Sequence, residues 1–377
     1  MTMAGRSRNP KGEWQSHSDL ADPPHPITRR NKMTDLWQYL KNTEKPIVLY
    51  GTGDGADKIL NVMAEKGIKA SGVFASDGFV RKRVFRDMQV LSYKEAVKTF
   101  GDMIILIAFG SSLPNVIENF VKLSLLHETY VPDVPVAGGE LFDIDFYNKN
   151  LDKINEARAL LCDTASVKLY DNMIMAKLTG KIEYLLDGCE NDDDILSFLH
   201  AEHFRVTLDL GAYNGDTALK LVDFCPKLET VIALEPDERN FKKLCINTVP
   251  TKKVEPHYAA AWDKSEILTF TKGGGRGIHR HGGEKTVPVT GVRPESFLDG
   301  RKVDYIKIDV EGAERRAIDG CKNAISDYRP AMRIALYHKS ADIFEIPLLI
   351  HSICPDYKMY IKRTMSFPAW DIDLITL

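Results

Sequence analysis

Cysteine is scarce and unpatterned in this chain. Cys162, Cys189, Cys225, Cys245, Cys321 and Cys354 form no C-x-x-C pair and no short spacing. That excludes a disulfide-stapled scaffold and speaks against a zinc site, so they read as reduced thiols in a cytoplasmic protein. No apolar run approaches the roughly 18–20 residues that span a bilayer. The longest, such as Met103 to Phe109, are strand-sized. Residues 1–32 lack the apolar segment of a secretory signal. Neither sign of charge is in excess: 50 Lys and Arg face 53 Asp and Glu, a net charge of −3. Such a chain carries no global signature of a nucleic-acid binder. No internal repeat is evident. What is present is 377 residues, 44% hydrophobic and 27% charged. These are proportions of a soluble globular protein with length for two domains.

The composition is uneven along the chain. Residues 1–32 hold six Lys or Arg, three Asp or Glu and four prolines, with few aliphatic residues. The remainder has 44 basic and 50 acidic residues, a net charge near −6. A segment so poor in apolar residues cannot offset its ordering entropy by burial. It reads as a disordered tail, or as sequence from upstream translation or cloning.

From Met33 the pattern becomes regular. Residues 33–41 read as a short helix, and Pro46 to Tyr50 as a buried strand. Further strands are expected at Ala70 to Ala75 and Met103 to Phe109, with helices at 92–99 and Asn115 to Leu126. Alternation of this kind predicts a parallel sheet with helices on its faces. Residues 33–145 therefore read as a small Rossmann-like α/β domain. Residues 146–200 carry helical spacing and read as a helical connector. Residues 201–377 form a second alternating block. Its strands are expected at Val206 to Leu210, Glu229 to Leu234, Val254 to Ala261, Val303 to Asp309, Ala331 to Tyr337, Tyr357 to Arg363 and Ile372 to Leu377.

The chemistry gathers where strands of this second block end. Asp209-Leu-Gly211-Ala212-Tyr213-Asn214-Gly215-Asp216-Thr217 closes its first strand and opens a helix. Ligand crevices of open α/β sheets lie at such points. Gly211 and Gly215 would let backbone approach a ligand. Tyr213 stands where a dinucleotide fingerprint needs its second glycine, so the loop does not fit a pyrophosphate. An acid before the loop suits a cation instead, such as the sulfonium and amino group of S-adenosylmethionine. Glu235, followed by Pro236, ends the second strand at the spacing of a ribose-binding acid. Trp262 and Asp263 follow the third strand, where an adenine ring and its amino group would lie.

The fourth strand leads into Lys307-Ile-Asp309-Val-Glu311-Gly-Ala-Glu314. Alternation places Lys307, Asp309 and Glu311 on one face for as long as the chain stays extended. Clustered charge there is costly to bury unless paired or used. His338, in Tyr337-His338-Lys339, reaches the same rim and is the candidate general base. Asp309 and Glu311 are hard oxygen ligands of the kind that hold Mg²⁺. Two carboxylates are too few to assert a metal, and none is assigned.

DLGAYNGDT, ALEPD, YIKIDVEGAE and ALYHK together resemble the FkbM-type family of S-adenosylmethionine-dependent methyltransferases, over about residues 200–365. The resemblance implies a class I, seven-stranded methyltransferase fold. It implies methyl transfer to a hydroxyl oxygen of a sugar or other small-molecule or glycan acceptor. Carried over, Asp209, Gly211, Asp216 and Thr217 serve the methionine portion and Glu235 the ribose. Lys307, Asp309, Glu311 and His338 form the substrate rim. The long Thr271 to Lys285 stretch departs from the pattern and would serve as a lid.

A competing function resides in the first block. Gly51-Thr-Gly-Asp-Gly-Ala56 fits G-x-G-x-x-A after a strand, and Asp77 follows the second strand. This motif points to an NAD(P)-dependent oxidoreductase or a nucleotide-sugar-binding protein. Against it, Asp54 would face a phosphate unfavourably, although Arg81, Lys82 and Arg83 bring cations nearby. A binding or dimerisation module is the reading we favour for this block. The N-P-P-Y-type motif of base-methylating enzymes is absent, so nucleic acid is not the expected substrate. A homo-oligomer is left open.

Overall fold

The computed structural model describes residues 33–76, 78, 80, 83–272, 278–279 and 286–377. The tail 1–32, Asp77, Arg81, Lys82 and most of the expected lid lie outside the described residues.

The first sheet is built from β1 (Ile47–Tyr50), β2 (Gly72–Ala75), β3 (Val84–Phe85), β4 (Met88–Ser92), β5 (Ile104–Ile107) and β6 (Glu128–Tyr130). Their spatial order is β3-β4-β2-β1-β5-β6, all parallel except the β3–β4 hairpin. β1, β2 and β5 are buried at every position. This is expected of strands covered on both faces by helices.

The second sheet has seven strands: β7 (Val206–Leu210), β8 (Thr230–Leu234), β9 (Val254–His257), β14 (Tyr305–Ile308), β15 (Ala331–Ala335), β16 (Met359–Arg363) and β17 (Ile372–Thr376). Their order is β16-β17-β15-β14-β7-β8-β9, with β17 antiparallel to both neighbours. A smaller sheet sits beside it, from β10 (Ala260–Ala261), β11 (Glu266–Lys272), β12 (Ile278–His279) and β13 (Thr286–Val292). The Rossmann-like architecture and seven-stranded sheet expected of this half are present.

One expectation is corrected here. The third strand does not run unbroken to Ala261. The chain leaves the sheet after His257, whose carbonyl accepts both Glu235 N and Ala259 N at 3.1 Å. Ala260 and Ala261 then pair with Gly291 and Val292 of the smaller sheet. The turn delivers Trp262 to the rim of the main sheet. The backbone there is so close to Gly320 that a Cβ on that glycine would lie 2.0 Å from the Trp262 carbonyl oxygen.

Between the sheets run the helices Ile144–Ala159, Thr164–Thr179, Glu183–Leu186 and Asp192–Phe198. Asp143 and Asp163 cap the first two by accepting Phe146 N and Ser166 N. The helix Ile144–Ala159 packs on Asp342–Ile353, and Thr164–Thr179 packs on β16. A single buried cluster therefore runs from Val48 and Phe120, through Tyr147 and Met173, to Phe344 and Ile372. No helix among the described residues is long and apolar enough to cross a membrane.

Candidate active site

A pocket of about 840 Å³ opens at the carboxyl edge of the second sheet. The topological switch point of that sheet lies between β7 and β14, the two strands that border it. Ten of the residues singled out from the sequence line the pocket. They are Gly211, Tyr213, Asp216, Thr217, Glu235, Pro236, Trp262, Lys307, Asp309 and Glu311. Asp209, Ala212, Asn214, Gly215, Asp263 and His338 stand behind this wall.

The glycine loop is shaped by packing inside the protein. Gly211 (φ 82) and Gly215 (φ 90) both use left-handed backbone. A Cβ on Gly211 would lie 1.8 Å from the Asp309 carbonyl oxygen, and one on Gly215 would lie 2.9 Å from Thr248 Cγ2. Both glycines are thus required by neighbouring chain. Tyr213, in the fingerprint's second glycine position, is itself left-handed at φ 49. Such backbone costs a non-glycine residue roughly 1–3 kcal/mol. Glu235 holds it there. Its Oε2 accepts Tyr213 N at 2.9 Å and its Oε1 accepts Asp237 N at 2.7 Å. Burial pushes the Glu235 carboxyl up to about 7, against the pull of these two N–H groups.

Asp209 and Lys307 face each other across the β7–β14 pairing. Lys307 Nζ lies 3.6 Å from Asp209 Oδ1, 3.6 Å from Asp309 Oδ2 and 3.1 Å from the Gly211 carbonyl, to which it donates. The Asp209 side chain is 0% exposed, and neither of its oxygens has a hydrogen-bond partner. Burial raises its pKa while the Lys307 charge works against that rise. An ion pair without hydrogen bonds leaves a buried carboxylate short of donors.

Beside the smaller sheet, Trp262 Nε1 donates to Glu266 Oε1 at 2.6 Å, and the Arg316 guanidinium lies 5.3 Å from the ring centre. Arg316 also binds Asp263 Oδ2, while Asp263 Oδ1 is buried without a partner.

His338 is 1% exposed and does not line the pocket. Its Nδ1 lies 2.8 Å from Glu314 Oε1. Its Nε2 lies 3.5 Å from both Asp309 Oδ1 and Glu311 Oε2. Glu314 Oε1 also accepts Val310 N and Gly312 N, tying the turn after β14 to the histidine. Glu311 is held left-handed at φ 53 in that turn. Burial alone would lower the histidine's pKa. Glu314, Asp309 and Glu311 outweigh it and raise it to about 10. The geometry places His338 behind two carboxylates and away from the pocket wall, not at the face an acceptor would meet as the sequence suggested. A histidine with a raised folded pKa contributes stability below the unfolded value of about 6.5, which is lost as pH rises through the folded one. Nitrogen-15 spectra of His338 are therefore expected to show both ring nitrogens protonated at pH 8. A neutral ring at pH 7 would refute this.

Sequence reasoning missed Tyr337, whose OH donates to Asp309 Oδ1 at 3.1 Å, although it adjoins His338. It also missed Arg333 and Asp373, a 2.6 Å ion pair that lines the pocket, with Arg333 opposite Lys307 in the β14–β15 pairing. In the first sheet, Thr52 of the glycine loop accepts from Arg83, and Asp54 pairs with Lys58 at 3.1 Å. Among the described residues no group of three or more His, Cys, Asp or Glu side chains is placed to hold a metal ion.

The family model of the methyltransferase FkbM domain matches residues 209–358. The crystal structure of methyltransferase FkbM from Methylobacillus flagellatus KT is similar to this chain at 19% identity. That similarity covers 88% of this chain and 90% of the other with a TM-score of 0.67, a likeness of fold. Aeropyrum pernix fibrillarin, with natively bound S-adenosyl-L-methionine, overlaps 46% of this chain and 66% of its own at 12% identity and a TM-score of 0.31. The fibrillarin pre-rRNA processing protein of Methanococcus jannaschii overlaps 47% and 66% at 16% identity and a TM-score of 0.32. No curated protein matches the chain.

Proposed function

We propose, from the match of residues 209–358 to the methyltransferase FkbM domain, that the chain transfers a methyl group from S-adenosylmethionine to a hydroxyl oxygen. The acceptor is a sugar or another small-molecule or glycan hydroxyl. The observation that carries the cofactor assignment is Asp209, a fully buried carboxyl just behind the glycine loop, with Lys307 at 3.6 Å and no hydrogen-bond partner for either oxygen. A buried charge so short of partners is suited to a cationic ligand.

The other residues fit the same ligand. Glu235 has lone pairs left over for ribose hydroxyls after accepting two backbone N–H groups. The Trp262 ring supplies a face for adenine, and the orphaned Asp263 Oδ1 an acceptor for its amino group. Bound S-adenosylmethionine supplies an electrophilic methyl on a sulfonium.

The chain's own residues must then orient the acceptor oxygen and take up its proton. Asp309 and Glu311 line the pocket where that oxygen would sit. Lys307, His338 and the Tyr337 hydroxyl hold the Asp309 carboxyl below its usual range, which makes it an orienting acceptor and a weak base. Glu311, which also lines the pocket, is the proton acceptor in this reading.

Neighbouring rings pack against the competing dinucleotide loop and the turn beside it. The switch point of the first sheet lies between β1 and β5. There a Cβ on Gly51 would meet the Phe109 ring at 2.8 Å, and the Trp370 ring covers Gly110.

Thermal unfolding with S-adenosylhomocysteine, NAD and NADP tests the reading. A rise with S-adenosylhomocysteine alone is expected. A rise with NAD or NADP alone would overturn it. Incubation with methyl-labelled S-adenosylmethionine and a cell extract then identifies the acceptor class from the labelled product.

A further inference from the structure

The N-terminal half reaches into the pocket that the C-terminal half builds. Ser112, just beyond β5, and Ala137 both line it. These are close contacts. Ala137 N donates to the His338 carbonyl at 3.1 Å, and a Cβ on Gly312 would come within 2.6 Å of the Ala137 Cβ. Ser111 and Phe367 exchange two backbone hydrogen bonds, at 2.8 and 2.9 Å. The Trp370 ring lies so near Gly110 that a Cβ there would be 2.1 Å away. The connection held in this way, between β16 and β17, gives the pocket Thr364, Met365 and Asp371.

We infer that the N-terminal half forms the acceptor-side wall of the methyl-transfer pocket, with Ser112 and Ala137 as its specificity-determining contacts. The inference rests on the reading of the pocket given above. Its volume is near the upper part of the roughly 300–1,000 Å³ range of small-molecule sites, with room for a cofactor and an acceptor. The elements assigned to the cofactor, the glycine loop, Glu235 and Trp262, lie within residues 209–262. Of the N-terminal loops, Ala137 meets the pocket at the Glu311–Gly312 turn, where the acceptor's proton is to be received, and Ser112 follows Ser111, which pairs with the β16–β17 connection. Ser112 is exposed and brings a hydroxyl that both donates and accepts, which suits a hydroxylated acceptor. Ala137 packs directly over Gly312, which has no Cβ to meet it, so a larger side chain at 137 would press on that turn. The N-terminal half thus has a role that needs no nucleotide of its own.

Two variants test this, Ser112→Trp and Ala137→Val, each measured in the full chain. Ser112 is exposed, so the larger side chain is accommodated without repacking a core. The readouts are the Kd for S-adenosylhomocysteine and labelled-methyl incorporation into the small-molecule fraction of a cell extract. The expected result is a Kd within twofold of the parent protein and at least a tenfold fall in incorporation for Ser112→Trp, with a smaller fall for Ala137→Val. Parental incorporation in both variants would overturn the inference. So would a loss of S-adenosylhomocysteine affinity that matches the loss of incorporation, since the wall would then belong to the cofactor. Failure of the underlying reading looks different: the parent protein itself incorporates no label.

Discussion

Replacing Asp209 with alanine is expected to lower affinity for S-adenosylmethionine at least a hundredfold while the protein stays folded. Two factors of ten are about 2.7 kcal/mol, within what a buried charge-assisted contact supplies. The fold does not need this carboxylate. Its oxygens have no hydrogen-bond partner, and Lys307 keeps Asp309 and the Gly211 carbonyl when Asp209 is gone. The folded pKa of Asp209 is raised, so its ionisation removes stability as pH climbs from the unfolded value of about 3.8 through the folded one. Asp209→Ala should therefore unfold at the same or a higher temperature at pH 7. Titration calorimetry with S-adenosylhomocysteine and a melting curve decide it. Unchanged affinity would remove the basis of the cofactor assignment.

Lys307→Met should do the reverse: damage the fold first. Lys307 is the cation between two carboxylates, and its charge helps hold Asp309 below its ordinary pKa. Removing one member of a buried ion pair costs roughly 3–5 kcal/mol, because the charge left behind is uncompensated. Urea unfolding at pH 7 should show a loss of that order. A depressed folded pKa contributes stability above the unfolded value of about 3.8 that is lost as pH falls through the folded one. In the variant that contribution is diminished, and the Asp209 carboxyl, whose rise Lys307 no longer opposes, rises further; the instability from that rise vanishes as pH falls to about 3.8, so the gap to the parent protein should narrow towards pH 4. A gap of equal size at pH 7 and pH 4 would mean that methionine fails by shape and not by charge. The two substitutions break one ion pair from opposite ends, and only one of them strands a charge.

How much of this was readable beforehand depended on range along the chain. The strands of the second sheet were legible because β7, β8 and β17 are buried at every position, which leaves apolar runs in the sequence. The glycine loop, Glu235 and the Lys307–Glu311 stretch were legible because their spacing is local. The break of the third strand after His257 was not, since it depends on pairing with β13 some thirty residues later. The β3–β4 hairpin was hidden for a local reason. Its turn places Arg86 (φ 47) and Asp87 (φ 63) in left-handed backbone without the Asn-Gly or Asp-Gly that announces such turns. The burial of His338 behind its carboxylates was illegible because Glu314, 24 residues earlier, and the turn it caps are brought there by two different strands. Ser112 and Ala137 lie farther still from the residues they join.

The clamp of Ser111 on Phe367 and the shared apolar cluster make the boundary between the halves a feature of chain path alone. No plane of weakness separates them in packing. Free energy gained by closing the pocket on a ligand is thereby distributed into β5 and the helices behind it. Ligand binding will act as a brake on opening of the first sheet as well as the second. For the N-terminal half, a ligand held chiefly by its neighbour is a stability factor that it meets only through Ser112 and Ala137.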